Sequence, residues 1–214
     1  MQLQLEDLLY QNKAIQSAVE LFKGQSKNVS ERPLLSQSNT SDLTPNQCLL
    51  SLEQLHKNKL SILQQNNLAK NEAILSEEPQ ICIEMETGTG KTLGYIRTLC
   101  ELYQHYGYTK FIILVPSIAV KEGIINTLES FAEQLKNHYQ HMIHWFEYDS
   151  KRLTQLKHFI NDKSALICLD NTLSNKTVDQ LLQNPQKFIC LERALNTDAK
   201  WNLRQHLKHL FIAF

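Results

Sequence analysis

Met85-Glu86-Thr87-Gly88-Thr89-Gly90-Lys91-Thr92 follows a short apolar run, Ile81-Cys82-Ile83-Glu84-Met85, and precedes a stretch with helical apolar spacing that reaches about Tyr106. A strand that ends in a glycine-rich turn and opens into a helix builds an anion site. Its backbone N–H groups face inward, and the helix N-terminus adds partial positive charge. Gly88 and Gly90 supply the permissive backbone. Lys91 is placed to reach the β- and γ-phosphates of ATP, and the Thr92 hydroxyl to ligate Mg²⁺. Glu86, Thr87 and Thr89 complete the loop, the two threonines with hydroxyl donors. The strict phosphate-loop pattern asks for Gly at position 85, where this chain has Met85. The alternative is a chance Gly-Lys-Thr turn after a buried strand; the flanking strand and helix argue for the phosphate loop.

Working outward from the loop, apolar runs and helical stretches alternate. Phe111-Ile112-Ile113-Leu114-Val115 is a second strand candidate, stopped by Pro116, and residues 117–136 read as helix. A third strand is expected over 143–148, a helix over 151–160, and a fourth strand at Ala165-Leu166-Ile167-Cys168-Leu169. A short helix over 177–182 and a weak fifth strand at Phe188-Ile189-Cys190-Leu191 follow. Short apolar strands alternating with helices predict βαβ units and a parallel sheet flanked by helices, an α/β fold.

Towards the N-terminus the pattern is different. Residues 3–23 carry helical apolar spacing and stop at Gly24; residues 25–47 are rich in Ser, Asn and Gln and read as a polar linker; residues 48–75 return to helical spacing. The expected organisation is an N-terminal helical segment over 1–77, an α/β domain over 78–191, and a tail over 192–214 that lacks a clear pattern. The leucine spacing of 49–68 suits a packed helix or a partner-binding face, the packed helix being the more common case.

Composition narrows the partners. The chain has 214 residues with 42% hydrophobic content, enough for a buried core. Its formal net charge is zero, so contact with nucleic acid must come from local groups and not from a global field. The five cysteines form no C-x-x-C pair, which suits free thiols in a reducing compartment. Residues 1–20 do not read as a secretory signal, and there is no run of 18 apolar residues. A cytoplasmic address without membrane contact is the expectation.

Glu84-Met85-Glu86-Thr87-Gly88-Thr89-Gly90-Lys91-Thr92 resembles motif I of superfamily 2 helicases, and within them the Res subunits of type III restriction enzymes, where Met at the first position is normal. Tyr95-Ile96-Arg97-Thr98 and Tyr106-Gly107-Tyr108-Thr109-Lys110-Phe111 resemble the helix and next strand of that family. Val115-Pro116-Ser117-Ile118-Ala119-Val120-Lys121-Glu122-Gly123 resembles its motif Ia, and Tyr148-Asp149-Ser150-Lys151 a later segment. Leu9-Tyr10-Gln11 with Ala14-Ile15 looks like the helix that carries an adenine-reading Gln. The resemblance implies a partial RecA-like motor domain, ATP and Mg²⁺ as cofactors, DNA as a partner, and a methyltransferase (Mod) subunit that chooses the site. It gives Gln11 to adenine, and Pro116, Ser117 and Lys121 to the phosphate backbone of nucleic acid; a solvated Gln and a Ser helix cap are the plain alternatives.

Two constellations invite other readings. His138, His141 and His144 have zinc-like spacing if helical, but they straddle a helix end and a strand start, so they need not share a face. Asp170 ends an apolar run like a metal-holding carboxylate, yet its neighbour is Asn171; the Asp-Glu pair that such motors use, one carboxylate for the metal's water shell and one for the attacking water, occurs nowhere in the chain. The family's second motor domain and nuclease carboxylates are not recognised either, and the resemblance fades near residue 175. The expectation is therefore an apparently truncated motor fragment, with parental ATP-dependent translocation and endonuclease activity. The alternative is a non-catalytic nucleotide- or DNA-binding module or an inactive remnant.

Overall fold

The computed structural model describes residues 8–27, 46, 48–68, 80–141, 144–149, 154–162, 165–169, 189–192 and 210–213. The expected helix over 177–182 and most of the linker over 25–47 lie outside the described residues. In chain order the elements are α1 (Leu9–Glu20), α2 (Leu52–Gln65), β1 (Gln80–Cys82), α3 (Lys91–Tyr106), β2 (Lys110–Leu114), α4 (Ile118–Tyr139), β3 (His144–Glu147), α5 (Thr154–Asn161), β4 (Ala165–Leu169), β5 (Ile189–Glu192) and β6 (Leu210–Ala213).

The strands form one sheet in the order β1-β6-β5-β2-β4-β3, and every pairing is parallel. This is the α/β parallel sheet flanked by helices that the alternating pattern predicts, consistent with a partial RecA-like fold. All five residues of β2 are buried. Successive side chains of a strand point to opposite faces, so both faces of the sheet are covered at β2. β3 at one edge is exposed or half-buried along its length. β1, at the other edge, pairs with β6 only from Gln80 to Cys82, so residues 83–86 leave the sheet, earlier than the apolar run suggests. β6 lies within the stretch that the sequence pattern sets aside as a tail, and it is hydrogen-bonded between β1 and β5.

Local chemistry fixes the ends of the helices. Ser51 caps α2 by accepting from Gln54 N, and Ser117 caps α4 by accepting from Val120 N. α3 stops at Gly107, whose φ of 69° admits the left-handed turn and whose N–H returns to Tyr103 O at 2.8 Å. α1 packs on α3: Ile15, Ala18, Val19 and Phe22 join Leu99, Leu102, Tyr106 and Tyr108 in the core, and the Tyr106 hydroxyl donates to Val19 O at 3.0 Å. The N-terminal helix is thereby fixed on the first helix after the glycine-rich loop. No helix among the described residues is long and apolar enough to cross a membrane.

Candidate nucleotide site

The loop is built around one carbonyl. Thr89 N donates to Glu86 O at 3.4 Å and Thr89 Oγ1 to the same oxygen at 2.6 Å, closing the turn that carries Thr87 and Gly88. Gly88 (φ 83°) and Gly90 (φ 77°) are left-handed, where a side chain adds strain. Gly90 is the N-cap of α3 and provides no side-chain cap; the first helical bond is Gly94 N to Gly90 O at 2.9 Å. The early N–H groups of this 16-residue helix are therefore not capped by a side chain. Lys91 and Thr92 stand half-buried in the first turn, while Glu86, Thr87, Gly88 and Gly90 are exposed and Thr89 is half-buried. An uncapped helix N-terminus with a lysine and a threonine beside it fits the triphosphate of a nucleotide and an accompanying Mg²⁺.

α1 grips this loop from behind. Gln11 is only 3% exposed; its Nε2 donates to Thr89 O at 2.8 Å, and the Tyr10 hydroxyl donates to the same carbonyl at 3.2 Å. A Cβ on Gly90 would lie 2.4 Å from Gln11 Nε2, so a side chain there would displace the Gln11 amide as well as strain the left-handed backbone. Gln11 Oε1 is buried without a hydrogen-bond partner, an acceptor held next to the loop. On the adjoining side a cavity of about 1120 Å³ opens between α1, α2 and residues 82–89, with Tyr10, Lys13, Ile62, Leu63, Met85 and Thr89 in its lining. That is ample for the base and sugar of a nucleotide.

The second expected segment lies where β2 gives way to α4, at the carboxyl end of a parallel strand, as the glycine-rich loop does. Pro116 and Ser117 are half-buried, and Ser117 Oγ is engaged as the helix cap at 3.3 Å from Val120 N. Lys121 turns inward. It is 4% exposed, donates from Nζ to Tyr148 O at 2.7 Å and pairs with Glu147 Oε1 at 3.1 Å. Sequence spacing shows Lys121 one turn into a helix but not where its partners lie, so this commitment was invisible there.

The three histidines part company. His138 is exposed in the last turn of α4, His141 stacks on Tyr103 with ring centroids 3.6 Å apart, and His144 on β3 bonds Asp162 Oδ2 at 2.8 Å. Among the described residues no group of His, Cys, Asp or Glu could hold a metal ion by itself. Asp170 and Asn171 lie outside the described residues. Cys48, Cys82, Cys100 and Cys168 are free thiols; burial pushes those of Cys100 and Cys168 up to about 12, so neither is a thiolate nucleophile.

Comparison with known proteins gives the family context of the chain. The family model described as "Type III restriction enzyme, res subunit" matches residues 4–191. The Res subunit of the type III restriction-modification enzyme EcoP15I from Escherichia coli is 33% identical over 137 residues, 63% of this chain and 13% of that protein. The EcoPI Res subunit of Escherichia phage P1 is 47% identical over 60 residues, 28% of this chain and 6% of its own length. The StyLTI Res subunit of Salmonella typhimurium is 48% identical over 54 residues, 25% of this chain and 6% of its own. The chain thus matches only a small part of the length of these relatives.

Proposed function

The chain belongs to the type III restriction enzyme Res subunit family, a helicase-like component of such restriction systems, and on that premise we propose that it binds MgATP at the loop 86–92 and contacts DNA next to Pro116 and Ser117. The observation that carries the nucleotide reading is the uncapped N-terminus of α3 with Lys91 and Thr92 beside it, held from behind by Gln11. The N–H groups of the turn and of the first helical residues would cradle the phosphates, Lys91 would neutralise the β- and γ-oxygens, and the Thr92 hydroxyl would hold the metal. Mg²⁺ supplies charge compensation on the phosphoryl group when bound. Gln11 keeps its Nε2 on Thr89 O and offers the buried Oε1 to the amino group of adenine. In the family setting the parental activity is ATP-dependent translocation on DNA coupled to endonuclease cleavage, with the Mod methyltransferase as partner.

A second reading has its own support. The chain contains no Asp-Glu dipeptide, and phosphoryl-transfer motors use such carboxylates on the metal and the attacking water. By this reading the chain is a binding module that takes up nucleotide or DNA without turnover. One series of assays separates the two. MgATP affinity and DNA-stimulated hydrolysis are measured for wild type and Lys91→Ala. Nucleotide affinity should fall roughly ten- to a hundredfold in the variant, as loss of a charge-assisted contact dictates. Turnover in wild type that disappears with Lys91→Ala supports the motor; binding without turnover supports the module; equal affinity in both proteins would sink the assignment of the loop.

A further inference from the structure

We infer that Lys121 is a positioning residue for the β2–α4 segment and not a contact to nucleic acid, an inference whose functional part rests on the reading that Pro116 and Ser117 meet DNA. Three strand ends converge here. Val115 N, just past β2, donates to Leu169 O at the end of β4 at 2.9 Å, and Tyr148 N, just past β3, donates to Cys168 O of β4 at 3.1 Å. Lys121 closes the row from the helix side. Its side chain leaves the first turns of α4 and ends on Tyr148 O and Glu147 Oε1. Its backbone N–H simultaneously bonds Ser117 O at 3.1 Å. One residue thus joins the cap of α4 to the carboxyl end of β3, across β4.

Burying an ammonium is costly unless its hydrogen-bonding capacity is met, and here a carbonyl and a carboxylate meet it. A phosphate contact would need the same charge free in solvent, released from its present partners. The two roles predict different salt behaviour. A lysine on a DNA phosphate contributes about 0.9 to the slope of log K against log salt, whereas a buried tether contributes nothing to it. They also predict opposite effects at Glu147, half of whose side chain is exposed. Neutralising a carboxylate near a DNA contact should tighten binding; loosening a tether should weaken it.

The experiment uses the full chain with Lys121→Met, Lys121→Arg and Glu147→Gln. Binding to a fluorescent DNA duplex is titrated over a salt series, and backbone amide exchange is followed by mass spectrometry. Lys121→Met and Glu147→Gln should both weaken DNA binding, Lys121→Met by roughly tenfold or more as a displaced contact segment does, with the salt slope of wild type retained. Lys121→Arg should recover part of the loss. Amide exchange should accelerate in peptides covering 117–122 and 147–149 and stay unchanged across 86–92. A slope lowered by about one phosphate in Lys121→Met, or tighter binding by Glu147→Gln, overturns the inference. If wild type binds no DNA, the proposed DNA contact fails by itself, and the exchange pattern alone decides the tether: unchanged exchange at 117–122 and 147–149 refutes it.

Discussion

The chain builds two strand–turn–helix units at the same end of one parallel sheet, and they treat their polar groups in opposite ways. In the unit from β1 to α3, the strand is a short edge strand, the turn is made of left-handed glycines, and the helix starts without a side-chain cap. In the unit from β2 to α4, the strand is buried throughout, Ser117 caps the helix, and Lys121 spends its charge on Tyr148 O and Glu147. The first is unfinished by its own side chains and has room for a ligand to finish it. The second is satisfied internally and acts as a frame. On the proposed reading, anion binding follows from which helix start the sequence leaves uncapped, not from strand–turn–helix topology as such.

The frame has a further fastening that offers the largest test of this contrast. Asn46, buried at 5% exposure, accepts from Thr109 N and Lys110 N through Oδ1 and donates from Nδ2 to Lys110 O. It serves as a strand partner for the start of β2. Asn46→Ala removes those partners at a buried site and should cost roughly 2–4 kcal/mol of unfolding free energy, since orphaned buried backbone groups are worth about 1–3 kcal/mol each. Urea unfolding should register that loss while MgATP affinity, measured below the transition, stays at the wild-type value. A fall in affinity larger than the fall in stability would show that the two units are not separable.

Gly90→Ala is the converse, acting on the open unit. Its φ of 77° is strained for alanine by roughly 1–2 kcal/mol, and the new methyl would stand 2.4 Å from Gln11 Nε2. The clash can be relieved by moving the Gln11 amide, at the expense of its bond to Thr89 O. Nucleotide affinity should therefore drop by about tenfold or more, while the loss of stability in urea stays within that strain of about 1–2 kcal/mol, and is less where the free loop relaxes. Adding Gln11→Ala should not restore binding, because the backbone strain remains and the Gln11 contacts are lost as well. Recovery in the double variant would mean that sterics, and not the left-handed turn, set the loop.

Much of the fold could be read from residue order, because its signals are local. The helix at Lys91–Tyr106 is bounded by Gly90 and Gly107, and the strand at Ala165–Leu169 is a short run of apolar residues, so both ends are written into the chain. What escaped depends on distant partners. Asn46 sits in a polar stretch that reads as linker, and its partners are 63 and 64 residues away. β6 has no turn residue to announce it, and it enters the sheet by pairing with β1 and β5. Tyr10 and Gln11 reach Thr89 across 79 and 78 residues, a contact that a helical pattern cannot show. The histidine triplet had suggestive spacing, but a helix end within it sends the three rings to different neighbours.

The smallest effect concerns Lys110, at the amino end of β2. It is 1% exposed, its ammonium donates to Phe159 O and lies 5.0 Å over the Phe159 ring, and burial lowers its pKa from 10.5 to about 8, against the opposing pull of Asp162. A lysine with a depressed folded pKa is penalised while charged. Between about pH 8 and 10.5 the unfolded chain keeps a proton that the folded chain has released, so this residue's contribution to stability rises with pH across that window. Buried tyrosines and cysteines with raised pKa act in the opposite sense at higher pH, but they do so equally in wild type and in Lys110→Met. The variant also loses the bond to Phe159 O, which offsets its stability by an amount independent of pH. The difference between the two proteins, from urea melts at pH 7, 8, 9 and 10, should thus be flat below about pH 8 and then grow in favour of wild type, by less than about 1.4 kcal/mol per pH unit. A difference that stays flat to pH 10 would mean that Lys110 keeps its proton in the fold. The amino end of β2 would then hold a satisfied charge, as its carboxyl end does at Lys121.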